Sequence, residues 1–463
     1  MRNNDAVAPQ NGSPLDRSAL AEIGHARAEE LARAGVAAVA LTWVDNVGVT
    51  RVKAVPVERF AHAAAWGVGM STVHDVFQVD DTITSGQLVG GPVGDLRLHP
   101  DTDALTVLYC EPGWAWAPVD RWTQDGRPYP LDQRTFARRM VAAAEEAGLL
   151  LRMAFELEWY LATADGTPAA SGSAYGMTRL MEVADYGRDL LEALAAQNVP
   201  VEQYHPEYAV SQFELSTSPD DPVVTADRVV LVRETIRAVS RRHGLRASFA
   251  PIAVAGAVGN GMHLHMSVLD HTGRNLFADG SGPAGLSVSG ESMLARLLER
   301  LPALSAITAP SVSSHLRSIP QRWAGAYQCW GVENREAAIR LIPGVVGTGQ
   351  ASSNVELKCV DGSANPYLAV GAVCAIVAQG AHDGATLPQS FDVDPVTLPA
   401  ERQPPRLPES VGAGLAALAE DDRLLAVLGP ELVDAFRSVQ MADAAAAEGQ
   451  SAEDIVNAVR WRY

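Results

Sequence analysis

The sequence predicts an α+β protein, and three observations carry that expectation. Segments with strand character and segments with helix character are mixed irregularly, without the one-for-one alternation of a doubly wound parallel sheet. A hairpin signal lies near the N-terminus, where runs at 36–44 and 49–55 flank a turn at Asp45-Asn46 to Gly48. The composition, 47% hydrophobic and 20% charged over 463 residues, is that of a folded chain long enough for two or three cores.

In chain order, residues 1–17 read as a disordered polar tail, with no apolar stretch of the kind a signal peptide needs. Ser18 to Ala34 is amphipathic and ends at Gly35, so it predicts a helix. Strand-like runs follow the hairpin at Asp95–Leu98 and Ala104–Tyr109. The Pro-, Gly- and Trp-rich stretch from Glu111 to Pro130 breaks the pattern and predicts a domain boundary there, with residues 18–115 before it and 116–463 after it. Helices suit Gln133–Ala147, Thr178–Gln197, Val224–His243 and Glu291–Ile307; strands suit 149–161, 201–216, 261–269, 336–342 and 353–360. Pro388 to Pro408 is a proline-punctuated connector, and the chain from Ser410 onward is helical and alanine-rich.

Charge narrows the function classes. With 36 Lys and Arg against 55 Asp and Glu, the net charge of −19 disfavours nucleic acid and anionic membrane as partners, since a polyanion is bound by a basic surface. The longest apolar run, Tyr367 to Ala378, is shorter than the roughly 20 residues that cross a bilayer. Cys110, Cys329, Cys359 and Cys374 are far apart and form no CxxC pair, which predicts neither a zinc site nor a disulfide framework. A soluble, cytoplasmic protein is expected.

Four segments carry candidate chemistry. Phe155-Glu156-Leu157-Glu158-Trp159 places two carboxylates two apart in an apolar strand, so both point to one face. That is either a solvent-facing alternation or a buried pair that needs cations. The second segment runs from Glu202 through His205 and Glu207 to Glu214; each acid taken alone is more often solvated surface than ligand. The third, Gly259-Asn260-Gly261-Met262-His263-Leu264-His265-Met266-Ser267, runs a glycine-rich turn into a strand with both histidines on one face. The fourth holds Arg335 and Arg340, then Glu356 and Lys358 two apart. Forked arginine donors suit phosphate. Together, five carboxylates, a histidine, arginines and a glycine-rich turn suit hard divalent cations that hold a nucleoside triphosphate for phosphoryl transfer.

In their order and separation these motifs resemble the glutamine synthetase superfamily, class I type, from about residue 18 to residue 463. Asp45-Asn46-Val47-Gly48 with Arg51 and Lys53 is similar to its N-terminal β-grasp hairpin, and Asn365-Pro366-Tyr367-Leu368 to the start of a family helix. The resemblance implies a β-grasp domain followed by a catalytic α+β domain with a curved antiparallel sheet. It implies ATP as substrate and two or more Mg2+ or Mn2+ ions per site, one held by Glu158, Glu207 and Glu214 and one by Glu156, His263 and Glu356. Glu202, His265 and Ser267 match nucleotide-contacting positions, and Arg335 and Arg340 the phosphate arginines. Gly259 and Arg317 match contacts to glutamate, Lys358 a second substrate cation, and Asp45 an aspartate that reaches a neighbouring subunit's site to deprotonate the amine. A homo-oligomer of hexameric rings stacked as a dodecamer is expected.

The departures shape the expected activity. Glutamine synthetases close a flap glutamate over ammonium, yet His315 to Val332 contains no Asp or Glu, and Trp323 stands near the matching place. An enclosed ammonium needs negative charge, so indole in its place favours a small alkyl or hydroxyalkyl monoamine such as ethanolamine; the bland alternative is that Trp323 only packs the flap. A di- or polyamine fits less well, because no acidic groove is visible locally. Val258, Asn354, Lys358 and Ala250 also depart from the family pattern; Lys358 keeps charge without the fork, so the acid is held differently or is not glutamate. No tyrosine lies in 383–399, so adenylylation of the enterobacterial kind is not expected. The alternatives are a glutamine synthetase proper and a catalytically silent assembly protein of nitrogen metabolism.

Overall fold

The structure is a computed structural model that describes residues 15–463. Most of the expected polar tail lies outside the described residues. The first helix, Arg17–Arg33, begins where Asp16 accepts the backbone N–H groups of Ser18 and Ala19. It packs beside the helix Phe60–Trp66 on a six-stranded sheet built from β1 (Ala38–Val44), β2 (Thr50–Pro56), β3 (Val68–Ser71), β4 (Asp95–Pro100), β5 (Thr106–Val107) and β6 (Trp114–Thr123). The order is β2-β1-β6-β4-β3, with β5 beside β6 and the β1–β6 pair parallel.

The expected boundary at residue 115 therefore falls inside a strand. β6 occupies the centre of the first sheet, and its residues 115–119 are buried because both faces are covered. Period-two alternation is lost in a strand buried on both faces, and Pro118 and the indoles disguise it further.

The second sheet has eight strands: β7 (Leu149–Thr163), β8 (Val201–Pro206), β9 (Gln212–Thr217), β10 (Leu245–Ser248), β11 (Met262–Asp270), β12 (Tyr327–Val332), β13 (Ala337–Ile342) and β14 (Asn354–Leu357). Its order is β12-β13-β14-β11-β7-β9-β8, with β10 also on β7, and every pair is antiparallel except β12–β13. Two expected elements are split. The stretch 201–216 is a hairpin, and the helix expected over 178–197 breaks at Val183 into Met177–Glu182 and Ala184–Ala196. The long apolar run is the buried helix Pro366–Gly380, packed against the helices Gln133–Glu146 and Val288–Thr308. No helix among the described residues is long and apolar enough to cross a membrane. All four cysteines are buried and free.

The Asn-Pro-Tyr motif joins the two sheets. Asn365 accepts the N–H groups of Tyr367 and Leu368 as a helix cap, while its amide donates to the carbonyls of Val44 and Asp45 at the β1–β2 turn. The Tyr367 hydroxyl donates to Asp227, which also pairs with Arg134; Arg134 in turn reaches Asp101 and Asp120 from the N-terminal part. The turn is seated so closely that a Cβ on Gly48, whose φ is +77°, would lie 2.1 Å from the carbonyl oxygen of Ser363. Gly48→Ala is therefore expected to destabilise the chain by about 3 kcal/mol, from overpacking plus left-handed strain. Chemical denaturation checks this, and a change below about 0.5 kcal/mol, the range of a neutral surface substitution, would show that the turn can yield.

Candidate active site

Side chains two apart on a strand share a face, and cross-strand registry brings those of neighbouring strands together. Across the second sheet, Arg340 on β13 lies opposite Glu356 on β14, and Glu356 opposite His265 on β11. His263 lies opposite Glu156 on β7, Glu158 opposite Glu214 on β9, and Glu214 opposite His205 on β8. One stripe thus gathers five carboxylates, when Glu207 at the β8–β9 turn is included, from four segments of the sequence.

Two groups in the stripe have ligand atoms that all lie within 4.8 Å of one another: Glu156 with His265 and Glu356, and His205 with Glu207 and Glu214. His263 stands between them, its Nδ1 3.1 Å from Glu156 and 3.4 Å from Glu356, and its Nε2 3.9 Å from Glu158. Four of the six expected metal-ligand residues fall in these groups, Glu156 and Glu356 in the first and Glu207 and Glu214 in the second, while His265 and His205 stand where His263 and Glu158 were expected. His265, matched by resemblance to the nucleotide, is in reach of the first group; Asn354 Oδ1 holds its Nδ1 at 3.0 Å, and its buried Nε2 has no hydrogen-bond partner. That nitrogen lies 3.5 Å from Glu156 among carboxylates, and once its proton is released it would suit a divalent cation.

The electrostatics agree. Burial and the charge of Glu207 push the Glu158 carboxyl up to about 7, and burial pushes Glu214 up to about 8 despite its bond from His205. His205 is held up at about 9, chiefly by its hydrogen bond to Glu214. His263 is pushed down to about 4 by burial and by the Lys358 charge, and so is neutral. Burial opposes charge on His265, but Glu156 and Glu356 outweigh it and hold that ring up at about 9. Glu356 is held well below the usual carboxylate range, with Lys358, His263 and His265 outweighing its burial. Protons and fixed cations thus balance the stripe where divalent ions would.

The remaining expected site residues divide. Arg317 is buried beneath the glycine-rich turn, with its guanidinium 3.1 Å from His263 Nε2 and donating to the Lys358 carbonyl. A Cβ on Gly259 would meet the carbonyl of Pro251 at 2.2 Å and Arg317 Cγ at 3.0 Å, so the backbone there passes as close as glycine permits. Lys358 Nζ is buried 2.8 Å from Glu356, and Arg340 bridges Glu356 at 3.0 Å and Glu333. Arg335 is exposed in the β12–β13 turn. Ser267 donates to the Ser353 carbonyl, and Glu202 is exposed and bonded to Ser218, outside both ligand groups.

Asp45 lies at the β1–β2 turn. Its carboxylate is only 2% exposed, 2.7 Å from Arg51, and accepts the N–H groups of Val47 and Val49. Within the chain it is occupied by its own hairpin, since the β1–β2 pairing brings the Arg51 guanidinium back over it.

Several residues were missed in the sequence. His205 carried a signal, since it stands two before Glu207 in the same acidic segment. Gln212 binds Glu158 at 2.6 Å and the Gly259 carbonyl at 2.9 Å, tying the glycine-rich turn to the stripe. Tyr175 donates to Glu207 at 2.8 Å, and Tyr208 meets Trp323 edge-on with centroids 4.8 Å apart, forming an aromatic rim beside Glu207. The segment 315–332 lacks acids, but Glu336 turns back to it and accepts the N–H groups of Gln321 and Trp323, at 3.0 Å each.

Comparison with known proteins gives a consistent placement. Residues 130–457 match the family model described as glutamine synthetase, catalytic domain. A Streptomyces coelicolor protein named gamma-glutamylpolyamine synthetase GlnA3 is 48% identical over 460 residues, covering 97% of this chain and 98% of that protein. A glutamine synthetase of Rhizobium leguminosarum bv. phaseoli is 30% identical over 413 residues, covering 86% and 90%. A solved structure described as a novel glutamine synthase homolog superposes with a TM-score of 0.84 at 31% identity, over 92% of this chain and 99% of that one.

Carboxyls held up near 7 and 8 keep their protons around neutrality, and a cation must displace those protons to be ligated. With His205 and His265 in the same groups held up at about 9, divalent-cation affinity is expected to rise from about pH 6 to about pH 9, by up to about tenfold per unit for each proton released. Calorimetry in buffers of different ionisation enthalpy checks this. Affinity flat with pH, with no proton release, would mean that the stripe is not the cation site.

Proposed function

Since the chain belongs to the glutamine synthetase family, we propose that it is an ATP-dependent ligase that joins the γ-carboxylate of glutamate to an organic amine. The observation that carries this reading is the pair of carboxylate–imidazole groups side by side on one sheet face, bordered by Trp323 and Tyr208 where an ammonium-using site needs a free carboxylate.

Glu156, His263 or His265 and Glu356 would hold one divalent cation, and Glu158, Glu207 and Glu214, with His205 in reach, a second. When bound, such ions neutralise the phosphate oxygens of ATP. The chain's own residues do the rest. Arg335 and Arg340 neutralise charge on the transferring phosphoryl, and Arg317 with the Gly259 backbone orients the acid. The γ-carboxylate oxygen attacks the terminal phosphorus, the bond to the bridging oxygen breaks, and ADP leaves. The amine nitrogen then attacks the acyl carbon of the resulting γ-glutamyl phosphate; inorganic phosphate departs and the nitrogen loses a proton. With Asp45 closed off by Arg51, it is not assigned as the acceptor of that proton. A homo-oligomer in the cytoplasm, with rings as the family resemblance implies, belongs to the same proposal.

Two amine classes are in play. The small monoamine expected from the sequence rests on the apolar, acid-free stretch around Trp323. A chain amine with two or more ammonium groups is the second reading. Two observations favour it: Tyr175, Tyr208 and Trp323 gather aromatic faces beside the stripe, of the kind a second ammonium seeks, and the Streptomyces relative is named for polyamines.

The test is phosphate release from ATP with glutamate, across ammonium, ethanolamine, ethylamine, putrescine and spermidine, with mass detection of the amide. Turnover with an organic amine well above ammonium is expected; preference for ammonium would reinstate a glutamine synthetase, and no ATP turnover a silent family member. Trp323→Ala is expected to raise the KM for the preferred amine about tenfold with little change in the KM for ATP, the scale of losing one apolar wall. An unchanged KM for the amine would show that the indole only packs the flap.

A further inference from the structure

Glu336 is a buried carboxylate that the reaction does not use directly, and its surroundings are unusual. It stands in the turn just before β13, and its own N–H is held by Asn334, whose amide is anchored to the carbonyls of Phe391 and Val393. Both of its oxygens are spent on backbone: Oε2 accepts the N–H of Gln321 and Oε1 the N–H of Trp323, each at 3.0 Å. The two donors have φ of +61° and +54°, conformations that side chains other than glycine rarely adopt. Backbone of this kind presents converging N–H groups to an anion, and here the anion is built into the chain. At its far end the segment is pinned by Gly325, at φ +64°, where a Cβ would lie 2.9 Å from Lys358 Cβ.

The consequence reaches the site. Fixing the Trp323 backbone sets its indole edge-on to Tyr208, and the Tyr208 N–H donates to Glu207 at 2.8 Å. A continuous set of contacts thus runs from Glu336 through 321–323 and the aromatic rim to the acid stripe.

We infer that Glu336 is a positioning residue: it straps the 318–325 segment so that Trp323 stands at the rim beside Glu207, and it thereby sets which amines the enzyme accepts. The inference rests on the amine-ligase reading. Glu336 supplies a carboxylate to a segment that has none, but both oxygens are occupied by N–H groups, so the segment gains rigidity without offering charge to ammonium.

The test uses the full-length assembled protein with Glu336→Gln and the conservative Glu336→Asp. Two readouts are taken: hydrogen exchange of the peptide covering 319–326, and kcat and KM for each amine and for ammonium. Glu336→Gln is expected to speed exchange in that peptide and to raise the KM for the organic amine about tenfold relative to ammonium, with the KM for ATP within about twofold. Glu336→Asp is expected to restore part of both. Unchanged exchange, unchanged amine preference, or an equal loss toward ATP, glutamate and every amine would each overturn the inference. If the unsubstituted protein makes no amide with any amine, the ligase reading fails on its own, while faster exchange in 319–326 alone would still establish the strap.

Discussion

The constraint on which the site depends is the requirement that like charges gathered on one sheet face be balanced. Registry across β13, β14, β11, β7, β9 and β8 leaves no freedom in where Glu356, Glu156, Glu158 and Glu214 point. Once they converge, they must be protonated, paired with fixed cations, or bound to metal. The chain uses the first two together: Lys358, Arg340 and the imidazolium of His265 gather on Glu356 and Glu156, while burial favours the proton on Glu158 and Glu214.

Much of this was legible in the sequence, and for one reason. A period of two in apolar strands marks a face, so Glu156 with Glu158, His263 with His265, and Glu356 with Lys358 could each be placed without knowing their partners. The order of motifs along the chain then brought them to one family. What was not legible depends on contacts that leave no periodic trace. β6 hid because burial on both faces removes alternation. The closure of Asp45 by Arg51 depends on how the hairpin folds back, and outward projection reads the same in the sequence. Glu336 was invisible for a deeper reason: its partners are backbone N–H groups presented by left-handed residues, and no residue type announces that Gln321 and Trp323 are such residues.

The absence of acids from 315–332 was correctly read, but its meaning changed. A carboxylate does reach the segment, from the turn before β13, and both its oxygens accept backbone N–H groups there. Around Trp323 the carboxylate lies behind the segment, tied to its backbone N–H groups, while aromatic faces line the side toward Glu207.

The seam between the two sheets has its own bearing on how the protein can be divided. Asn46 gives its amide to the Asp75 carbonyl and takes donors from Gln133 and Gln440, so residues from three distant parts of the chain meet at one hairpin tip. Separated at the apparent junction, either half would trade these buried hydrogen bonds for water and leave open a seat shaped for a missing turn. The stretch that resembles a catalytic domain is thus not a transferable module. Recombination that exchanged one half for that of a relative would succeed only if the seam travelled with it, and the two parts are bound to change together.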